Sequence, residues 1–161
     1  VAVVSVSELL VGKILALLDR GSPRDAWDVA NLTGPVAATV STPRFRRLFI
    51  ALAATLRRPL ASYTRQRLDA LLAEGRVAAQ LAPMLAVEGP PDARELAERA
   101  WEMIAPLLTL SQNELDYFAA VDRGELRLEL LFPDEPDEVA RLARHPALQW
   151  KVANVRGDVR R

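Results

Sequence analysis

Cysteine is missing from the chain, so no disulfide framework and no thiolate metal site can exist in it. A single histidine, His145, makes a histidine-based metal cluster or a Ser-His-Asp triad improbable, and its place in "HPALQW" fits capping or packing against a final helix. Only seven glycines occur, and none forms a phosphate loop, a dinucleotide fingerprint or a nucleophile elbow. No apolar run approaches the roughly 18 residues of a membrane-spanning helix, and the opening "VAVVSVSELL" carries no basic region of a secretion signal. Membrane insertion and secretion are not expected, and the cytoplasm is the expected compartment. The opening also has no methionine and enters on a β-prone run, which reads as part of something longer.

What is present is an apolar half: 50% hydrophobic residues in 161, enough to bury a core of one domain or of a domain plus a piece of another. Formal net charge is zero, yet charge is distributed in blocks. Residues 41–80 hold eight arginines against Asp69 and Glu74, residues 88–138 hold fourteen acids against four arginines, and the tail from 139 is basic again. Such blocks are either solvated helix faces or a basic surface suited to nucleic acid beside an acidic one that repels it.

Periodicity predicts a mainly α fold with one short N-terminal strand at 2–6. Ser7 is positioned to cap a helix from about 8 to 20 that Gly21 ends, and Ser22-Pro23 opens a second helix to about Leu32 that Gly34-Pro35 stops. Thr42-Pro43 opens a third to about Arg58, with Phe45, Leu48, Phe49, Leu52 and Leu56 on one side. Further helices are predicted at 64–74, 76–86, 91–109 with Pro106 kinking or ending it, 112–123 and 136–144. Ser111 and Glu114 have the spacing of a capping box, and "EGPP" at 88–91 is the best linker candidate. Trp27, Trp101 and Trp150 lie on separate helices and read as core or interface anchors.

The first two helices pose a chemical question. On a helical wheel Leu9, Leu10, Ile14, Leu17 and Leu18 share one sector, Glu8, Gly12 and Asp19 lie opposite, and Lys13 and Arg20 fall between Leu9 and Leu17. A cation against apolar surface needs an anion, either a fixed carboxylate or a phosphate. The hairpin can supply Asp25 and Asp28, one turn apart on the second helix. Asp25 also stands where it would close the Ser22 cap; Asp28 has no such duty. Of the 21 basic residues nineteen are arginine, so a lysine at 13 suggests a point contact to phosphate rather than general solubility.

The segment "SVSELLVGKILALLDRGSPRDAWDV" resembles the later motifs of the AbiEii/AbiGii-type nucleotidyltransferase toxins of abortive-infection and type IV toxin–antitoxin systems. The tail, "LDYFAAVDRGELRLELLF" at 115–132 and "HPALQWKVANVR" at 145–156, is similar to the end of bacterial members. The resemblance implies a polymerase β-like nucleotidyltransferase that moves a nucleoside monophosphate from an NTP to an acceptor, with tRNA the implied acceptor, Mg²⁺ the implied metal and a cognate antitoxin a possible partner. On that reading Lys13 holds the triphosphate, Asp28 is the first and Asp25 the second choice for catalytic support, and Arg20 and Arg24 are weaker phosphate candidates. The family's upstream Gly-Ser turn and paired strand aspartates do not occur in these 161 residues, whose only Gly-Ser is Gly21-Ser22 inside the hairpin. The expectation is therefore a C-terminal portion, inactive alone, with residues 1–34 ending the nucleotidyltransferase core, residues 35–161 forming a helical domain, and no metal ligand assigned within it. The alternative is a noncatalytic helical module that binds RNA or protein through Arg44, Arg47, Arg57 and Arg58.

Overall fold

The computed structural model describes residues 5–85 and 91–157, which form ten α-helices and three short 3-10 turns. Among the described residues there is no strand. Of the strand expected at 2–6, residues 2–4 lie outside the described residues, and Val6 is the first residue of α1 (Val6–Arg20). The cap is Ser5 and not Ser7: Ser5 Oγ accepts the Glu8 N–H at 3.2 Å and the Ser5 N–H donates to Glu8 Oε2 at 3.1 Å. This reciprocal Ser-x-x-Glu box satisfies two amides that a helix start would leave unpaired.

Gly21 ends α1 in the left-handed region at φ 58°, and Ser22-Pro23 starts α2 (Pro23–Ala30). Gly34-Pro35 does more than stop α2. It opens an additional helix, α3 (Gly34–Val40), because a proline in the first turn lacks only an N–H that has no partner there. Thr42 then caps α4 (Pro43–Ala53), accepting the Phe45 N–H at 3.2 Å. The expected extension of α4 to Arg58 fails. The Thr55 and Leu56 amides bond three residues back, to Leu52 O and Ala53 O at 3.0 Å each, and Arg58 precedes Pro59, which disfavours the helical region.

The 3-10 turn Leu60–Ser62 leads to α5 (Arg65–Leu71) and α6 (Glu74–Leu81), and Pro83 falls in a second 3-10 turn, Ala82–Met84. The linker expected at 88–91 lies outside the described residues except for Pro91. Asp92 caps α7 (Ala93–Leu108), and Pro106 sits inside the last turn without ending the helix before it. After α8 (Gln112–Asp122) the chain makes a 3-10 turn at Leu128–Leu130 and two final helices, α9 (Pro136–Ala143) and α10 (Pro146–Arg156).

The buried side chains form one contiguous cluster from Leu10 to Leu148. α1 packs on α2 and α4, and α2 packs on α7. Two arginines fasten these joints. Arg99 on α7 donates to Ala30 O at 2.7 Å and Asn31 Oδ1 at 3.0 Å, closing the end of α2. Arg46 on α4 grips the turn between α7 and α8: it donates to Glu114 Oε1 at 2.7 Å, Glu114 Oε2 at 2.8 Å and Pro106 O at 2.7 Å, and also to Thr109 O. Glu114 is buried, and its carboxylate further accepts the Ser111 N–H at 2.7 Å.

Candidate functional site

The α1–α2 hairpin carries the chemistry-bearing residues. Its inner side is Leu10, Val11, Ile14, Leu17 and Leu18, all at or below 5% exposure, each worth roughly 1.5–3 kcal/mol of burial. Leu9, expected in that stripe, is 56% exposed. Lys13 and Arg20 therefore stand on an open edge of α1 rather than within its buried face, since the apolar sector is narrower than ideal helical spacing implies. The sector expected to face solvent is correspondingly engaged. Glu8 pairs with Arg141, and Asp19 Oδ1 accepts the Tyr63 hydroxyl at 2.9 Å and the Arg57 N–H at 3.4 Å. Burial, and then the Asp19 carboxylate beside it, push the Tyr63 phenol up to about 12.

Across the hairpin the Lys13 ammonium donates to Asp28 Oδ2, and Arg20 lies 3.5 Å from Asp25 Oδ2. The two acids differ in setting. Asp25 has a side chain 16% exposed, its N–H donates to Ser22 Oγ at 3.2 Å, and its Oδ2 accepts the Ser22 hydroxyl at 2.7 Å. It is part of the cap of α2. Asp28 makes no cap and is 45% exposed beside a 47% exposed Lys13. The pair is open to an incoming molecule. Arg24 is exposed and makes no ion pair among the described residues. With Asp28 engaged by Lys13 and Asp25 by Ser22 and Arg20, and no group of three acid or histidine side chains gathered for a metal among the described residues, the hairpin does not make up a magnesium site.

The four arginines singled out for RNA are separated by their surroundings. Arg47 donates to Glu135 Oε1 at 2.7 Å and its guanidinium lies 5.6 Å from the centre of the Phe132 ring, an inward structural contact. Arg44 lines a cleft with Ser5, Glu8 and Glu138. Arg57 and Arg58 are exposed and, with Lys151, rim a groove lined by Leu56, Leu115 and Phe118. Trp27 and Trp101 pack partly buried against the core, but Trp150 is 62% exposed and lies outside that core. His145 occupies the N-cap position of α10 without a side-chain cap bond, and its Nδ1 is buried with no partner among the described residues.

No helix among the described residues is long and apolar enough to cross a membrane. No curated protein and no solved structure matches the chain. A family model described as "Nucleotidyl transferase AbiEii toxin, Type IV TA system" matches residues 1–102, from the start of the chain through α6 and into α7, while the similar-looking tail at 115–132 and 145–156 stands outside the match. With the hairpin and its ion pairs inside the matched span, which covers more than half of the chain, this protein belongs to the AbiEii nucleotidyltransferase toxin family of type IV toxin–antitoxin systems.

Proposed function

We propose that the α1–α2 hairpin forms one wall of a nucleotide-transfer site, in which Lys13 holds the triphosphate of an NTP and Asp28 assists the attacking group of the acceptor. The observation that carries this reading is the half-exposed Lys13–Asp28 pair. An arriving triphosphate oxygen takes over the Lys13 ammonium and releases the Asp28 carboxylate. The acceptor hydroxyl oxygen then forms a bond to the α-phosphorus, the bond to pyrophosphate breaks, and Asp28 takes the hydroxyl proton. Lys13 stabilises the charge that collects on the phosphates, where a compact ammonium acts as a point charge. Arg20 and Arg24, both exposed, serve as secondary phosphate contacts. The acceptor, tRNA on this reading, meets the exposed Arg57 and Arg58 beyond the end of α4 and Arg44 at its start; a cognate antitoxin is the partner that a type IV system implies.

Nucleotide transfer from labelled NTP to total tRNA, measured beside thermal melting, tests the assignment. Lys13→Ala and Asp28→Asn should each lose on the order of 10²-fold or more in rate while keeping the melting temperature. Asp25→Asn should lose about 1 kcal/mol of stability through its cap, with a smaller effect on rate. Normal transfer by Lys13→Ala would remove the triphosphate role, and a collapse confined to Asp25→Asn would move the catalytic assignment to Asp25.

A further inference from the structure

The groove rimmed by Arg57 and Arg58 runs between the stretch that follows α4 and the sides of α8 and α10. Its volume of about 240 Å³ is below the roughly 300–1,000 Å³ of a small-molecule site and suits a few inserted side chains. The lining is mostly aliphatic. Leu56 and Leu60 reach it from the core, and Leu115 and Phe118, three apart on α8, form a wall on which Leu115 is 47% exposed. Val155, one turn beyond Lys151 on the same side of α10, is 40% exposed and adds apolar surface at that end.

The rim is cationic, with Arg57, Arg58 and Lys151 against a single acid, Asp122. Arg46 and Arg47 of α4 are engaged by Glu114 and Glu135, whereas these three cations enter no ion pair among the described residues. Possible occupants meet such a surface differently. RNA held without sequence reading stacks its bases on aromatic faces, and this groove has one half-buried ring, Phe118, in an aliphatic setting. A second copy on a two-fold axis sets the same patch against itself, so that the three cations meet their own kind with little acid between them. An amphipathic helix inserts aliphatic side chains at i, i+3, i+4 and i+7 and turns its flanks to the rim, where carboxylates answer the cations.

We propose that this groove docks an acidic amphipathic helix of a protein partner, its aliphatic side chains over Leu115 and Phe118 and its carboxylates at Arg57, Arg58 and Lys151. Docking goes beyond the transfer reading and stands without it, although Arg57 and Arg58 are shared with the surface proposed for tRNA.

The test is fluorescence anisotropy of the full chain with a labelled synthetic helix that carries leucine at i, i+3, i+4 and i+7 and glutamate on both flanks, and with the same helix carrying lysine in place of glutamate. The glutamate helix should bind in the micromolar range, about ten-fold or more tighter than the lysine helix. Leu115→Gln should weaken both helices about ten-fold, and the joint Arg58→Gln and Lys151→Gln variant should weaken only the glutamate helix, each at unchanged melting temperature. The proposal is overturned if neither helix binds at about 100 μM, if the two bind alike, or if the folded variants bind as the parent does. It is also overturned, in favour of RNA, if Leu115→Gln weakens tRNA binding and leaves the helices alone, and in favour of a second copy if the parent sediments as a dimer that Leu115→Gln dissociates.

Discussion

Among single residues, Arg46 and Glu114 determine most. Burial alone would raise the Glu114 carboxyl, but the Arg46 guanidinium and the Ser111 N–H outweigh it and hold the group below the usual carboxylate range. A depressed folded value means that the pair's stabilisation is complete above the unfolded pKa, about 4.3, and is lost as pH falls through the folded value. Arg46→Gln removes the guanidinium from a buried carboxylate and from the turn carbonyls it holds. It should cost about 3 kcal/mol near neutral pH, and the deficit should shrink as pH falls, because protonation of Glu114 removes the charge that Arg46 answers. Urea unfolding of both proteins between pH 3 and pH 7 reads both effects; equal stability at pH 7 would contradict the role given to Arg46. Half of this pair is legible in the sequence. The Ser111–Glu114 spacing announces a helix start, but nothing local announces that an arginine 68 positions earlier supplies the counter-charge. For the same reason Arg47 reads as a free surface cation until Glu135 and Phe132 are seen around it.

At the scale of elements, helix starts are more legible in the sequence than helix ends. Ser22-Pro23, Thr42-Pro43 and Ser111 each begin a helix as their chemistry dictates, since a cap is settled within four residues. The end of α4 instead depends on a following proline and on three-residue backbone bonds, and α3 is hidden because Gly-Pro serves both as a stop and as a start. The Lys13–Asp28 contact is legible because a tight hairpin forces two short helices side by side. That hairpin turns on Gly21, which is left-handed and packed against α5: a Cβ there would stand 2.8 Å from Leu71 Cβ. Gly21→Ala should therefore destabilise by at least about 1–2 kcal/mol from backbone conformation alone, with Leu71 displaced in addition. A melting curve shows the loss, and transfer activity measured below the transition shows whether Lys13 and Asp28 still meet. Gly12→Ala should do the opposite and raise stability by roughly 0.5–1 kcal/mol, as its surroundings are open.

For the whole molecule, the blocks of charge along the sequence do not become one basic face and one acidic face. Arg46 and Arg47 are consumed by acids from the 88–138 block, and Arg141 of the tail by Glu8 and Glu138. The surface left for RNA is smaller than the sequence balance suggests. If tRNA binds along it, replacing Arg44, Arg57 and Arg58 by Gln should flatten the dependence of log affinity on log salt by up to about 0.9 for each duplex phosphate no longer neutralised. Arg47→Gln should leave that slope alone and lower stability; equal slopes for all variants would detach RNA from these arginines. The cross-chain ion pairs also bear on inheritance. Arg46 and Glu8 lie within the span that defines the family, while Glu114 and Arg141 lie beyond it. A lineage that exchanged its tail for another would leave the matched half holding a half-buried arginine with nothing to answer it, so head and tail are bound to change together, one substitution waiting on the other.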